Sequence, residues 1–227
     1  MARSVKSLAR TSKTRPASAS KLVPSPRYTR QLSRRTVMGK LVVSMFTTLD
    51  GVIERPDRWA FQFASADSME QGLRQLHDAE ALLLGRVTYE GFAASWPNMT
   101  DEAGYAGKMN TMPKYVVSTT LDEPTWNNTT VIADDPAARI GKVKTDLNGD
   151  LLVFGSNALV TRLLPHGLID EIRLVTYPVV IGDGTRLFAG GDGMASFRLL
   201  DTATFQSGVV VLTYAPVNEQ DAAAAAA

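Results

Sequence analysis

Residues 151–159 read LLVFGSNAL, a short apolar run followed by a glycine-containing turn and the start of a helical pattern. Four consecutive apolar residues are typical of a strand that is buried on both faces. The helix is predicted to continue to Leu164, because Pro165 and Gly167 end it. A strand, a glycine turn and a helix in this order predict an α/β domain, and they mark a point where a ligand could approach the backbone.

Similar apolar runs lie on both sides of this stretch, and helical patterns separate them. One helix is predicted to be capped by Asp67, with Glu70 three residues on. Another is predicted to begin at Asp135-Pro136, an N-cap followed by proline. Strands separated by helices predict a central, mostly parallel sheet flanked by helices on both faces. The other predicted strands before the C-terminal part are residues 41–46, 81–84, 114–117 and 129–132.

The pattern changes after residue 168. Residues 169–176, 196–206 and 209–214 are strand-like without long helices between them, and Gln206-Ser207-Gly208 suits a hairpin connection. We therefore expect a mixed sheet that ends in antiparallel strands. Because exposed antiparallel edges offer pairing surfaces, we also expect a homodimer.

The net charge of +1 conceals an uneven distribution. Ten of the 24 basic residues lie in residues 1–38, which contain no Asp or Glu, so 14 basic and 23 acidic groups remain for the rest of the chain. A basic DNA-binding domain is therefore disfavoured, and no apolar window approaches the roughly 18 to 20 residues of a membrane span. We expect a small-molecule substrate, with no nucleic-acid partner and no membrane partner.

Three segments are predicted along the chain. Residues 1–37 are rich in Ser, Thr, Arg and Pro and are expected to form a disordered basic extension. An organelle transit peptide, a nucleic-acid-binding tail or a twin-arginine export signal at residues 33–38 are the alternatives. Residues 38–217 are the predicted folded domain, and residues 218–227 a low-complexity alanine tail. The expected location is cytoplasmic, or an organelle if the extension is a transit peptide.

The residue types exclude several chemistries. The chain has no Cys and two His, which excludes disulfides, thiolate metal sites, a Cys nucleophile and a histidine-rich metal site. We therefore expect no metal. The chain also lacks a Gly-x-Gly-x-x-Gly after a strand, a Walker motif and a Gly-x-Ser-x-Gly elbow. A standard Rossmann, P-loop or serine hydrolase site is accordingly disfavoured.

Glycine, hydroxyl and arginine side chains follow three of the predicted strands. Glycine lets a phosphate approach the backbone, hydroxyls donate hydrogen bonds to it, and arginine binds it through two parallel bonds. Each segment alone could be an ordinary cap or turn. Three of them at one sheet edge favour a polyphosphate or dinucleotide site. The segments are Gly85-Arg86-Val87-Thr88, Ser118-Thr119-Thr120 and Gly155-Ser156-Asn157.

The first strand is followed by an aspartate and then by an aromatic-rich loop. Asp50 could cap its own turn or orient a polar substrate. Trp59, Phe61 and Phe63 could stack on a heteroaromatic substrate or serve only in packing.

These segments occur in an order and at spacings that resemble the dihydrofolate reductase-like superfamily. Within it they are most similar to the RibD C-terminal reductase domain of riboflavin biosynthesis and its stand-alone bacterial relatives. The resemblance covers about residues 39–216. It rests on TLDG at residues 48–51, LLGRVTY at 83–89, PKYVVS at 113–118, GSNAL at 155–159, LIDE at 168–171 and PVVIGDG at 178–184.

The resemblance implies a three-layer fold and NADPH-dependent hydride transfer to a small heterocycle, as in 5-amino-6-(5-phosphoribosylamino)uracil reductase. It implies cofactor phosphates at the first of the three strand ends, the adenosine 2′-phosphate at the second and the pyrophosphate at the third. The implied cofactor residues are Gly85, Arg86, Thr88, Ser118, Thr119, Gly155, Ser156, Asn157 and Ala158.

On the substrate side, the riboflavin-type branch makes Asp50 the candidate catalytic carboxylate, which would orient the substrate. Thr48, Trp59 and Glu171 are the substrate-binding candidates, and Glu171 could instead be a structural charge at a strand start. The pterin-binding carboxylate of folate reductases falls near Met69 in this chain, which favours the riboflavin-type branch over true dihydrofolate reduction.

Other functions stay open at this point. The domain could be a non-catalytic nucleotide-binding or dimerisation module that keeps the fold without the chemistry, or a dihydrofolate reductase. The basic extension could also be the functional part, tethering an acidic domain to nucleic acid or membrane.

Overall fold

Eight strands form one sheet in the computed structural model, which describes residues 39–189 and 194–217. The strand order is β4-β3-β2-β5-β1-β6-β8-β7. The predictions for residues 1–37 and 218–227 lie outside the described residues. The strands are β1 Leu41–Thr48, β2 Ala79–Gly85, β3 Lys114–Val117, β4 Thr129–Ile132, β5 Asp150–Phe154, β6 Glu171–Tyr177, β7 Phe197–Thr204 and β8 Val210–Pro216.

The sheet is mixed, as predicted. Strands β1 to β6 pair in parallel, whereas β8 pairs antiparallel with both β6 and β7. The central strands are continuous apolar runs because both of their faces are covered. The hairpin prediction is confirmed: Gly208 adopts φ +84°, and its N–H donates to the Phe205 carbonyl at 2.9 Å.

In the described part of the chain, five α-helices cover the two faces of the sheet. On one face, Leu41, Val43 and Met45 of β1 share a core with residues of α4 and α5. On the other face, Val42 of β1 packs in a second core with residues of α1, α2 and α3. This alternation follows from the two-residue period of a strand, and it produces the predicted three layers. The helices are α1 Ala66–Asp78, α2 Arg86–Ser95, α3 Tyr105–Thr111, α4 Pro136–Asp146 and α5 Asn157–Leu163.

The first helix begins differently from the prediction. Its N-cap is Ser65, and the side chains of Ser65 and Ser68 form the capping box that was predicted for Asp67 and Glu70. Asp67 lies one residue inside the helix, where its carboxylate accepts hydrogen bonds from the N–H groups of Ser68 and Gln206. Ser68, three residues after the N-cap, closes the capping box in the way that a glutamate would. Asp67 instead connects the helix to the hairpin through its hydrogen bond from Gln206.

The short helices α2 and α3 were not predicted from the sequence. Helix α2 follows β2 directly at Arg86, and α3 has seven residues. Among the described residues, no helix is both long and apolar enough to cross a membrane. Within those same ranges, no group of three or more His, Cys, Asp or Glu side chains is placed to hold a metal ion.

Candidate active site

Two of the predicted strand ends are hydrogen bonded to each other. Parallel strands β2 and β5 end at the same edge of the sheet, where the Gly85 N–H donates to Ser156 Oγ at 3.0 Å. The Ser156 N–H in turn donates to Thr88 Oγ1 at 3.2 Å. Gly155 and Ser156 both have left-handed backbone angles, with φ of 54° and 55°, which keep the turn tight. The two glycine segments therefore form one rigid edge.

The third strand end joins this edge in a cleft of about 290 Å³. Arg86, Ser118 and Thr119 line it together, as the sequence analysis expects, and Arg162 of α5 lines it as well. The Ser118 hydroxyl accepts hydrogen bonds from the N–H groups of Thr120 and Leu121, at 3.1 and 3.0 Å, which fixes the turn after β3. Two guanidinium groups and several hydroxyls in one cleft make a donor set that suits a phosphate group.

One polar atom beside the glycine turn is buried without a partner. Within residues 39–189 and 194–217, Oδ1 of Asn157 accepts no hydrogen bond. A buried acceptor in this state needs a donor from elsewhere, because leaving it unpaired costs free energy. This unpaired oxygen and the phosphate-binding donor set fit a polar, phosphate-bearing ligand such as a dinucleotide at this edge. Ala158 follows Asn157 in the first turn of α5.

A larger cavity of about 1080 Å³ opens on the α1 face of the sheet. It adjoins the cleft edge, because Phe154 lines it and directly precedes Gly155. Most of its wall is aromatic or aliphatic. The wall includes Ser44, Phe46, Phe63, Met69, Leu73, Gln75, Trp96, Tyr105, Phe154, Arg173, Val175, Tyr177, Phe205 and Val211.

A guanidinium group lies in the wall of this cavity. The Arg173 Nε donates to Glu171 Oε1 at 2.6 Å, and its Nη1 donates to Gln75 Oε1 on α1 at 3.0 Å. Lys40 lies 3.6 Å from the other carboxylate oxygen of Glu171, so this buried carboxylate faces two cations. Glu171 is thus placed to hold Arg173 in a fixed orientation.

The structure separates Glu171 from the other predicted substrate residues. In the register of β1 and β6, Val42 pairs with Glu171 and Thr48 pairs with Tyr177. Six residues of strand, or about 20 Å at 3.3 Å per residue, therefore lie between Glu171 and the end of the sheet that carries Thr48 and Asp50. Direct contact between Glu171 and a substrate stays a prediction, and the distance of Glu171 from Thr48 and Asp50 argues against it.

Asp50 holds the loop after β6 in place. Its carboxylate accepts hydrogen bonds from Thr48 Oγ1 at 2.6 Å and from the N–H groups of Ile181 and Gly182 at 3.3 and 2.8 Å. Arg186 lies 3.8 Å away. These donors, led by the Thr48 hydroxyl, lower the pKa of Asp50 from 3.8 to about 2. Asp50 is therefore ionised near neutral pH, and its predicted role toward a substrate stays a prediction.

The aromatic loop contributes to the cavity in part. Phe63 lines the cavity, whereas Trp59 is 4% exposed and is not in the wall. The Trp59 indole donates to the Glu54 carbonyl at 2.9 Å, and its ring packs edge-on against Tyr177 with centroids 5.3 Å apart. Because Tyr177 does line the cavity, Trp59 supports the wall from behind.

Sequence reasoning missed Arg162, Arg173 and Gln75. Arg173 carried a usable signal, since it places a charge within strand Glu171–Tyr177, where a sheet covered on both faces must accommodate it. Arg162 and Gln75 are single polar residues on helices, where a solvent-facing position is the ordinary expectation.

Comparison with known proteins agrees with this geometry. The model of the RibD C-terminal domain matches residues 39–211. The chain belongs to the RibD C-terminal domain family. The uncharacterized protein YyaP of Bacillus subtilis is 28% identical to it, over 77% of this chain and 94% of YyaP.

Solved structures share the RibD-type fold. A protein from Shewanella sp. PV-4 named for riboflavin biosynthesis has a TM-score of 0.65 at 18% identity, covering 79% of this chain and 99% of that one. A Thermotoga maritima deaminase and 5-amino-6-(5-phosphoribosylamino)uracil reductase has a TM-score of 0.57 at 15% identity. That match covers 79% of this chain and 57% of the Thermotoga protein. The match therefore leaves the rest of the Thermotoga protein without a counterpart.

Proposed function

We propose that this RibD-type domain is an NADPH-dependent reductase that transfers a hydride to a small heterocyclic substrate. The observation that carries the proposal is the cleft in which Arg86 and Arg162 lie with Ser118 and Thr119. A separate cavity on the α1 face is large enough for a substrate. Reductases among the family's structural relatives support an oxidoreductase.

In this proposal the cleft binds the cofactor and the larger cavity binds the substrate. Arg86, Arg162, Ser118 and Thr119 would hold the phosphate that distinguishes NADPH from NADH. The joined turns at Gly85 and residues 155–156 would carry the remaining phosphates, and Asn157 would accept a hydrogen bond from the cofactor. When bound, NADPH supplies the hydride.

The larger cavity would orient the substrate and exclude water. Its aromatic wall would pack against a ring of the substrate. Holding the substrate and the cofactor in a fixed relative orientation accounts for a large part of catalysis. Thr48 donates to Asp50, and Asp50 holds residues 181–182 in place.

Titration calorimetry with NADPH and with NADH tests the cofactor assignment. In the double variant Arg86→Gln, Arg162→Gln, the Kd for NADPH should rise about tenfold or more, because two partly exposed arginine contacts to a phosphate are lost. The Kd for NADH should change less than about twofold, since NADH lacks that phosphate. Arg74→Gln, which removes an exposed charge on α1, is the matched control.

Equal weakening of both cofactors, or no binding of NADPH to the unaltered protein, would contradict the assignment. Turnover is tested separately, by following loss of reduced nicotinamide absorbance across a panel of pyrimidine, pterin and flavin-precursor substrates. Tight NADPH binding without turnover of any of them would favour the non-catalytic module instead.

We propose in addition that the domain forms a homodimer through β7. This strand lies at the edge of the sheet and exposes Leu199 and Leu200, and its register with β8 shifts between Leu199 and Asp201. An exposed apolar edge strand favours association with another chain. Light scattering should show a dimer that Leu200→Lys converts to a monomer, and a monomeric unaltered protein would rule this interface out.

A further inference from the structure

The larger cavity has an apolar body. Eight aromatic side chains of the described residues line it, namely Phe46, Phe61, Phe63, Trp96, Tyr105, Phe154, Tyr177 and Phe205. Its volume of about 1080 Å³ slightly exceeds the range of roughly 300 to 1,000 Å³ that is usual for small-molecule sites. A ligand that carries many hydroxyl groups would leave most of them without partners against this wall. The wall therefore fits a ligand whose main part is an apolar or aromatic framework.

The polar groups at the Arg173 end of the cavity are donors. A guanidinium has five N–H donors and no acceptor, and the bonds to Glu171 and Gln75 engage two of its nitrogens. Because the Gln75 carbonyl oxygen accepts from Arg173, the amide of Gln75 is left with its NH₂ group to offer a ligand. Ser44 pairs with Arg173 across the strands and also lines the cavity.

Three carboxylates line the same cavity in the described part of the chain: Glu70 and Asp101 are engaged elsewhere, and Glu102 is exposed to solvent. Glu70 pairs with Arg74 on the exposed side of α1. Asp101 accepts hydrogen bonds from the N–H groups of Tyr105 and Ala106, at 2.9 and 2.5 Å. Glu171 holds Arg173 and also faces Lys40, so the guanidinium does not have to neutralise this carboxylate alone. Arg173 is the basic side chain in the described wall of the cavity, and its guanidinium is therefore the group there that can pair with an anion.

We propose that the cavity binds a substrate with an apolar, ring-containing body and a single oxyanion, a carboxylate or a phosphate ester, that pairs with Arg173. That the ligand is a substrate rests on the proposed reductase function, whereas its binding requires no cofactor. An arginine whose fork is fixed by a carboxylate and an amide is pre-oriented for bidentate contact with an oxyanion.

Binding of matched probes to the unaltered protein tests the proposal first. Naphthylacetate and naphthyl phosphate carry the oxyanion, and naphthylacetamide is the neutral counterpart of the same shape. At least one anion should bind about tenfold more tightly than the amide, as expected for one charge-assisted contact. Ribose phosphate, which has the anion without the apolar body, should bind more weakly than both naphthyl anions. If the amide binds as tightly as the anions, or ribose phosphate binds best, the proposal is overturned.

Variants then assign the contact to Arg173. Arg173→Gln should remove the preference for the anion and leave the affinity for the amide within about twofold. Arg139→Gln, an exposed arginine of α4 paired with Asp134, is the control and should leave both affinities unchanged. Retained preference in a folded Arg173→Gln protein would contradict the assignment. Circular dichroism checks folding, and if the variant does not fold, the probe comparison on the unaltered protein still decides.

The same titrations separate this proposal from the reductase proposal. Binding of the anionic probes without any binding of NADPH would contradict the reductase function alone. Binding of NADPH without preference for an anionic probe would contradict the substrate class alone.

Discussion

Replacing the buried Lys114 by methionine should destabilise the domain by about 3 kcal/mol. Lys114 is fully buried, and its ammonium donates to the carbonyl oxygens of Met112, Asn110 and Asn127 at 2.8, 3.1 and 3.2 Å. It also lies 4.3 Å from the ring centroid of Trp126. One ammonium thus joins the end of α3 to the segment before β4, and no carboxylate pairs with it among the described residues.

The expected magnitude is a difference between two opposing terms. Methionine removes the donor from one buried and two partly buried carbonyl oxygens, at about 1 to 2 kcal/mol each, together with a cation–π contact worth about 1 kcal/mol. Methionine also removes the cost of burying the charge. Burial lowers the pKa of Lys114 from 10.5 to about 8, a difference worth at most about 3 kcal/mol, and solvent screening reduces that figure. The lost contacts outweigh the recovered cost.

Urea unfolding near neutral pH measures this difference. Lys142→Met, which removes a 75% exposed lysine of α4, is the control and should change the free energy of unfolding by less than about 0.5 kcal/mol. A loss below about 1 kcal/mol for Lys114→Met would refute the claim that three carbonyl groups depend on this ammonium.

The same comparison at alkaline pH checks the sign of the pKa shift. Between about pH 8 and 10.5 the folded protein has released the Lys114 proton while the unfolded chain still holds it, so stability rises with pH in this range. Below pH 8 both states are protonated and the cost of burying the charge is fully present. The stability difference between the unaltered protein and Lys114→Met should therefore be larger near pH 9.5 than near pH 7. A difference that shrinks would show that the pKa is not lowered.

Two further substitutions and one titration test other parts of the domain. Thr88→Val removes the acceptor of the Ser156 N–H, so it should cost about 1 kcal/mol in urea unfolding and weaken NADPH binding by calorimetry. The Asp50 carboxyl carbon should titrate in an NMR experiment with a midpoint near 2, and the stability that its ionised form contributes should be lost as the pH falls from about 3.8 through 2. Gly184→Ala should lower the urea midpoint, because Gly184 has φ +124° and a Cβ there would lie 3.0 Å from Val52 Cγ1.

The fold and the meeting of the three strand ends at one edge were predictable for the same physical reason. Apolar runs show which strands are buried on both faces, and strand ends in a parallel sheet meet at one edge. Residues that suit a phosphate at Gly85, Ser118 and Gly155 therefore had to lie together, and the structure joins the first and third by direct hydrogen bonds through Ser156. Arg162 could not be found in this way, because its place in the cleft depends on how α5 packs.

The substrate side was less predictable, because a carboxylate in a sequence does not show what it binds. Asp50 and Glu171 were both candidates for contact with a substrate, and in the structure Asp50 binds the backbone of residues 181–182 while Glu171 binds Arg173. With a pKa of about 2, Asp50 carries no proton to donate near neutral pH. Burial raises the pKa of Tyr105 and Tyr177 to about 12, so these cavity hydroxyls keep theirs. A raised pKa makes these hydroxyls weaker acids, so under the proposed function the proton that accompanies hydride transfer would come from water. The carboxylates would act by fixing the loop and the guanidinium.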